Sequence, residues 1–253
     1  MQTPLPDIWT ETFTVRSYEV DTRGTLSPAS LCNYILDTAG RHAHELGLSI
    51  HHLQSESYTW VLSRMTLRMK SYPSWGDTIE IHTWPSGIRK LFALRDFSIH
   101  DSSGAQLGTC VTAWLVIDEK TRRPVRVGPF LKKLNMTHTD NAMQETLDKQ
   151  PALERTDHEQ RFSALHRDLD VNRHVTSVSY IEWALESIPV DILTTGFLSE
   201  LSINYLAETY FRDNVISRCA LRDESDSTFL HSIVREEDNR ELTRIKTVWK
   251  MIE

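Results

Sequence analysis

The chain repeats itself once, and that repeat limits its fold more than any other feature. Phe13 precedes Asp21 by the same interval that separates Phe162 from Asp170. Each aspartate leads through a short polar stretch into a helix candidate. In the first half Ser27-Pro28 reads as an N-cap with proline at the first helical position. Leu31, Ile35, Ala39 and Leu46 make its apolar stripe, and Gly47 is a natural stop. In the second half the stripe is Val178, Ile181, Leu185 and Ile188. Ser179 and Glu182 suggest a capping box there, and Pro189 marks the end. Strand candidates recur as well. Residues 65–69 and 201–205 alternate strictly, and turns follow at Trp75-Gly76-Asp77 and Phe211-Arg212-Asp213. Leu107 to Trp114 and Leu242 to Trp249 both read L-x-x-x-x-T-x-W.

Each half therefore reads as one strand, one helix and about four further strands, a duplicated α+β domain rather than a short-period solenoid. A single helix must lie across one face of its antiparallel sheet to bury its stripe. Two such units would protect their sheet edges by pairing as a pseudo-dimer. The predicted boundaries are 1–118 for the first half, 119–160 for a linker and 161–253 for the second half. Pro124, Pro129 and Pro151 break any long element in the linker, although Asp140 to Lys149 could form a helix. A connection this long is functional or a spacer over the surface.

Composition narrows the functions open to such a chain. Its 253 residues suffice for a real core, and 40% hydrophobic with 25% charged residues is ordinary for a soluble globular protein. A net charge of −7 lacks the basic footprint of a nucleic-acid binder. No apolar run has the length of a membrane span. Residues 1–6 lack the charged and apolar regions of a signal peptide. Cys32, Cys110 and Cys219 are odd in number and far apart, which points to a reducing cytoplasm rather than a disulfide framework. The pairs His42/His44 and His51/His52 lack the spacing of a zinc motif, so no metal is expected, and no cofactor.

The two copies differ where chemistry could reside. Asp170, Asn172 and His174 stand at alternate positions, and on an extended segment they would share one face. Aligned on the phenylalanines, they fall against Asp21, Arg23 and Thr25, so the first copy keeps only the carboxylate. Aligned on Met65 and Leu201, Glu208 falls against Tyr72. This predicts one active site, in the second half, with the first half free to shape a substrate pocket. Asp170 has a turn or cap reading as strong as a catalytic one, because it recurs.

The run Asp168-Leu169-Asp170-Val171-Asn172-Arg173-His174-Val175 resembles the catalytic segment of acyl-ACP thioesterases, enzymes that act on acyl chains carried by acyl carrier protein. Tyr180-Ile181-Glu182-Trp183 and residues 201–208 resemble the same family. So do Thr59 to Met65, Tyr72 to Asp77 and Thr121 to Pro124. The likeness runs from about Phe13 to Trp249. It implies a tandem hot-dog fold, each hot dog a long helix wrapped by an antiparallel sheet. It also implies hydrolysis of fatty acyl-carrier-protein thioesters in fatty acid biosynthesis, with Asp170, Asn172, His174 and Glu208 as the catalytic set. Plant members carry a cysteine directly after the glutamate, whereas this chain has Thr209. That departure argues against a covalent cysteine mechanism. No plastid transit peptide precedes the fold, which suggests a bacterial relative.

Water is then the expected nucleophile. Glu208 or His174 would take its proton, and the sequence leaves the choice open. Asn172 could donate to the thioester carbonyl or position the water, and backbone N–H groups at the start of the following helix could add to an oxyanion site. The expected partner is an acidic carrier protein. The basic run Lys120, Arg122, Arg123, Arg126, Lys132 and Lys133 could steer it, with Arg89 and Lys90 as a second candidate. Leu31, Ile35, Met65 and Met69 are candidates to set pocket depth, and Trp60, Trp75, Trp84 and Trp114 are read as core or edge packing. An acyl-CoA thioesterase, a hot-dog dehydratase and a non-catalytic acyl-binding protein are the alternatives. Chain-length preference and association as a homodimer are left open.

Overall fold

Two compact units make up the chain in a computed structural model that describes residues 8–131, 141–143, 147–223 and 227–251. One unit comprises Met1–Met65 and Lys70–Leu147, the other Thr66–Met69 and Asp148–Glu253. In chain order the elements are β1 (Trp9–Thr14), α1 (Pro28–Glu45), α2 (Ile50–Ser55), β2 (Tyr58–Met69), β3 (Thr78–Arg89), β4 (Phe92–Asp101), β5 (Gln106–Asp118), β6 (Arg123–Val125) and α3 (Gly128–Leu131). There follow β7 (His158–Ser163), α4 (Ser177–Leu185), α5 (Val190–Thr195), β8 (Gly196–Tyr205), β9 (Asn214–Asp223), β10 (Thr228–Arg235) and β11 (Glu241–Met251).

In the first unit the strand order is β1-β3-β4-β5-β2, with the short β6 added to β5. α1 packs on β1 and β3. It starts where the sequence places it: the Ser27 hydroxyl accepts from the Ser30 N–H at 3.1 Å, and Pro28 opens the first turn. Gly47, just past its end, takes φ +69°, a left-handed value that glycine adopts at little cost. Leu31, Ile35 and Ala39 of the stripe are buried, as are Met65 and Met69. Burying each Leu or Ile side chain contributes roughly 1.5–3 kcal/mol. Of the tryptophans, Trp84 is buried, Trp60 donates to the Leu48 carbonyl at 2.8 Å, and Trp75 lies exposed in its turn.

In the second unit the order is β8-β11-β10-β9-β7, with α4 on β9 and β10. The expectation of a second long helix needs correction. α4 has nine residues against eighteen in α1, and the chain restarts as the six-residue α5 after Pro189. The cap also differs from the expected one. Thr176 is the N-cap, its hydroxyl accepting from the Ser179 N–H, so Ser179 and Glu182 lie inside the helix.

The duplication extends to individual hydrogen bonds. Phe13 stacks on Tyr34, and Phe162 stacks on Trp183. The Trp114 indole donates to Thr112 Oγ1 at 2.8 Å, and the Trp249 indole to Thr247 Oγ1 at 3.1 Å. Leu26 N–H binds the Pro73 carbonyl, and Val175 N–H binds the Thr209 carbonyl. These last two bonds place Tyr72 and Glu208 at corresponding points of the two units.

The linker follows the sheets. Ala142 N–H binds Asp96 Oδ2 at 3.1 Å, and Leu147 packs with Val111 and Ala113 in the first unit. In the second unit Gln150 N–H binds Asn204 Oδ1 at 2.5 Å. This cover accounts for the burial of Asn204 on the face of β8 that its alternation marks as polar, where Ser202 is buried against Thr66 and Glu200. The helix expected over 140–149 is not formed by its described residues: 141–143 and 147–149 are irregular, and the rest of that stretch lies outside the description. Lys132 and Lys133 of the basic run also lie outside it.

Candidate active site

The segment carrying Asp170, Asn172 and His174 is a tight turn, not the extended strand that its alternation suggests. Asp170 N–H binds the His174 carbonyl at 2.8 Å, Arg173 N–H binds the Asp170 carbonyl at 3.0 Å, and Arg173 takes φ +64°. An L-residue in that region is held there by its surroundings. The holding group is the Asp170 carboxylate. Its Oδ1 accepts from the Asn172 N–H at 2.8 Å and the His174 N–H at 3.0 Å. The sister turn is built the same way. Asp21 Oδ1 accepts from the N–H groups of Arg23 and Thr25, and Gly24 takes the left-handed position at φ +75°. Burial alone would raise the Asp21 carboxyl, but the Arg23 side chain and these turn bonds hold it below its usual range.

His174 reaches its place through backbone pairing. It forms an isolated antiparallel bridge with Tyr210, as Thr25 does with Ser74 in the first unit. The bridge sets the imidazole beside the stretch that follows β8, where Glu208 stands. His174 Nδ1 lies 3.7 Å from Glu208 Oε1, and both side chains are about one-third exposed or less, at 27% and 30%. At that distance the two groups are within ion-pair range but do not form a hydrogen bond. Asn172 is half-buried in the same turn, and Asp170 is exposed. The structure therefore brings His174 and Glu208 together, hangs Asn172 on the His174 turn, and commits one oxygen of Asp170 to its own backbone.

Two further residues shape the site. Tyr210 donates its hydroxyl to Glu208 Oε2 at 3.1 Å, and its ring packs edge-on against the His174 imidazole with centroids 5.2 Å apart. It touches both ends of the pair. Arg235, on β10, donates from Nη2 to the Glu208 carbonyl at 2.6 Å and pairs with Asp213 at 3.2 Å. Neither stood out in the sequence. Tyr210 corresponds to Ser74 in the first copy, a difference of the same kind as Glu208 against Tyr72, and that was the available signal.

Burial disfavours Thr209 and the cysteines as nucleophiles. Thr209, directly after Glu208, is fully buried, and its carbonyl holds Val175. Burial pushes the Cys32 thiol up to about 12 and the Cys219 thiol up to about 11, so both stay protonated and inert at neutral pH. Among the described residues no group of three or more His, Cys, Asp and Glu side chains could hold a metal ion, and no helix is long and apolar enough to cross a membrane.

Comparison with known proteins gives a consistent picture. Residues 6–133 match the acyl-ACP thioesterase N-terminal domain, and residues 152–251 match the acyl-ACP thioesterase C-terminal domain. A chloroplastic acyl-carrier-protein hydrolase of Cuphea viscosissima is 31% identical over 94% of the chain. The chain spans 60% of that relative's length. The chloroplastic oleoyl-acyl carrier protein thioesterase 1 of Arabidopsis thaliana is 30% identical, with 95% of the chain and 75% of the relative covered. Among solved structures, an acyl-ACP thioesterase from Bacteroides thetaiotaomicron superposes with a TM-score of 0.86 at 26% identity. That match covers 96% of this chain and 98% of the other.

Proposed function

Because the chain belongs to the acyl-ACP thioesterase family, we propose that it hydrolyses fatty acyl thioesters of acyl carrier protein, releasing free fatty acid and carrier protein. The observation that carries this reading is the approach of His174 Nδ1 to Glu208 Oε1 at 3.7 Å in one copy only, where the sister copy has Thr25 and Tyr72. A thioester needs an activated water and a donor for the oxyanion that forms on its carbonyl. A water bound beside the pair, within reach of both His174 and Glu208, would lose its proton to one of them as it attacks the carbonyl carbon. The proton then passes to the departing pantetheine thiolate. Asn172 is the amide donor nearest in sequence to His174, and its side chain would hold the oxyanion. Asp170 shapes the turn that presents both. Tyr210 positions Glu208 and the imidazole from the other side.

This division of roles predicts large kinetic losses at two positions. A positioned general base contributes about 10²–10⁴-fold to rate, so Glu208→Gln and His174→Asn should each lower kcat by that order while leaving the fold intact. Single-turnover hydrolysis of an acyl chain on carrier protein measures this directly. Near-normal rates in both variants would sink the proposal. The free, buried thiols support a reducing compartment for the reaction.

A further inference from the structure

The register of the first sheet gathers two basic segments that are far apart in sequence. β4 pairs with β5 as far as Ala93 opposite Trp114, and the β3–β4 turn follows at Lys90 and Leu91. β6 pairs with the end of β5, Val125 opposite Val116 and Arg123 opposite Asp118. The other edge of β5 is taken by the start of β2, since Glu119 N–H binds the Ser57 carbonyl. β6 must therefore lie on the β4 edge, end to end with the β3–β4 hairpin. Arg89 and Lys90 at the hairpin tip thus share one sheet corner with Arg123 and Arg126, and Lys120 and Arg122 continue the array along the β5–β6 turn. All six are exposed.

Two properties mark this corner. Some exposed arginines elsewhere are matched by carboxylates, Arg41 with Asp37, Arg155 with Asp157 and Arg161 with Glu159 and Glu236, while others scattered along the second half, such as Arg173, Arg212 and Arg240, make no ion pair among the described residues. Arg89, Lys90, Arg123 and Arg126 make no ion pair among the described residues. The nearby acids are Asp118 and Glu119, and the Asp118 carboxylate accepts from the N–H groups of Lys120 and Thr121. The hairpin tip also carries Ile88 and Leu91, exposed at 43% and 38%. Unmatched like charges on a chain of net charge −7 are a local field with no internal use. Cations flanking a small apolar contact suit a partner that presents carboxylates around apolar side chains.

We propose that this corner, Ile88 to Leu91 with Arg123 and Arg126, is the docking surface for the acidic carrier protein that bears the substrate. The inference rests on the hydrolase reading for the partner's identity. The corner suits a protein better than a bilayer, because it is a sheet edge with two half-exposed apolar residues rather than a helix with an apolar face to insert.

The test separates docking from chemistry. Fluorescence anisotropy with labelled holo carrier protein reads binding without hydrolysis. Arg89→Glu with Lys90→Glu, and separately Arg123→Gln with Arg126→Gln, should each weaken binding about tenfold or more and flatten its salt dependence. The same variants should hydrolyse an uncharged acyl-pantetheine thioester as the wild type does. Equal affinity of wild type and both variants for carrier protein, or no binding by the wild type, would overturn the proposal. So would loss of binding to phosphatidylglycerol vesicles with carrier binding unchanged, which would assign the corner to a membrane surface. Failure of the wild type to cleave acyl-pantetheine would instead count against the hydrolase reading, with the binding result standing by itself.

Discussion

Replacing Asp170 by asparagine and by alanine distinguishes a carboxylate that shapes a turn from one that does chemistry. Asp170 Oδ1 accepts two backbone bonds, at 2.8 and 3.0 Å, from the residues that carry the Asn172 and His174 side chains. A bond to a charged acceptor is worth roughly 1.5–3 kcal/mol when shielded, and exposure at this position brings each to about 1 kcal/mol. Losing both in Asp170→Ala costs about 2 kcal/mol of turn order. At 1.4 kcal/mol per factor of ten, that lowers the equilibrium constant for the productive turn about 30-fold, and its population by up to that factor. Asparagine keeps a carbonyl oxygen in the same place and can still accept both bonds. Asp170→Asn should therefore hold kcat/KM within about fivefold of wild type, while Asp170→Ala loses more than that and up to about 30-fold, mostly in kcat. The assay is steady-state hydrolysis of one acyl group on carrier protein, with urea unfolding to confirm that both variants are folded. Equal, large losses in the two variants would show that the negative charge itself acts in the reaction, and the scaffold argument would be wrong.

Acid should weaken the fold through two buried imidazoles. Burial pulls His231 down to about 3, and burial with the Arg95 charge does the same to His42. Both folded values lie below the unfolded one near 6.5, so their neutral forms stabilise the fold fully above that pH and lose the contribution as pH falls towards 3. Each costs about 1.4 kcal/mol per pH unit across that window. Urea unfolding at pH 7 and pH 5 should show His231→Gln with a shallower pH dependence by that amount, and an unchanged slope would refute the assignment. Gly196→Ala tests a close approach rather than a backbone torsion. Gly196 has an ordinary φ of −90°, but a Cβ there would sit 2.4 Å from the Ile192 carbonyl oxygen. The variant should lose about 1–3 kcal/mol of stability by urea unfolding, and a change under about 0.5 kcal/mol would mean that α5 shifts freely.

The two copies explain why some of this was legible in the sequence and some was not. Bonds that hold the backbone recur, so the alignment of Tyr72 with Glu208 could be made from strand pattern alone and is matched by paired bonds in the structure. The turn at 170–174 is not distinguished by local pattern, because alternate polar residues fit a strand as well as an aspartate-capped turn. The sister copy held the correction: Gly24 stands where Arg173 does, and a glycine there marks a left-handed residue. Ser27 likewise stood opposite Thr176, the true cap of α4. Tyr210 and Arg235 were out of reach because their roles depend on tertiary contacts that no local pattern encodes. Coincidence between copies therefore marks scaffold, and Asp21 with Asp170 is the clearest case. Difference marks what one copy was free to change. Arg23 against Asn172, Thr25 against His174, Tyr72 against Glu208 and Ser74 against Tyr210 all fall on two short segments joined by one β-bridge. Because the bridge brings these four positions of the second copy together, they are the ones whose replacement tests the proposed chemistry most directly.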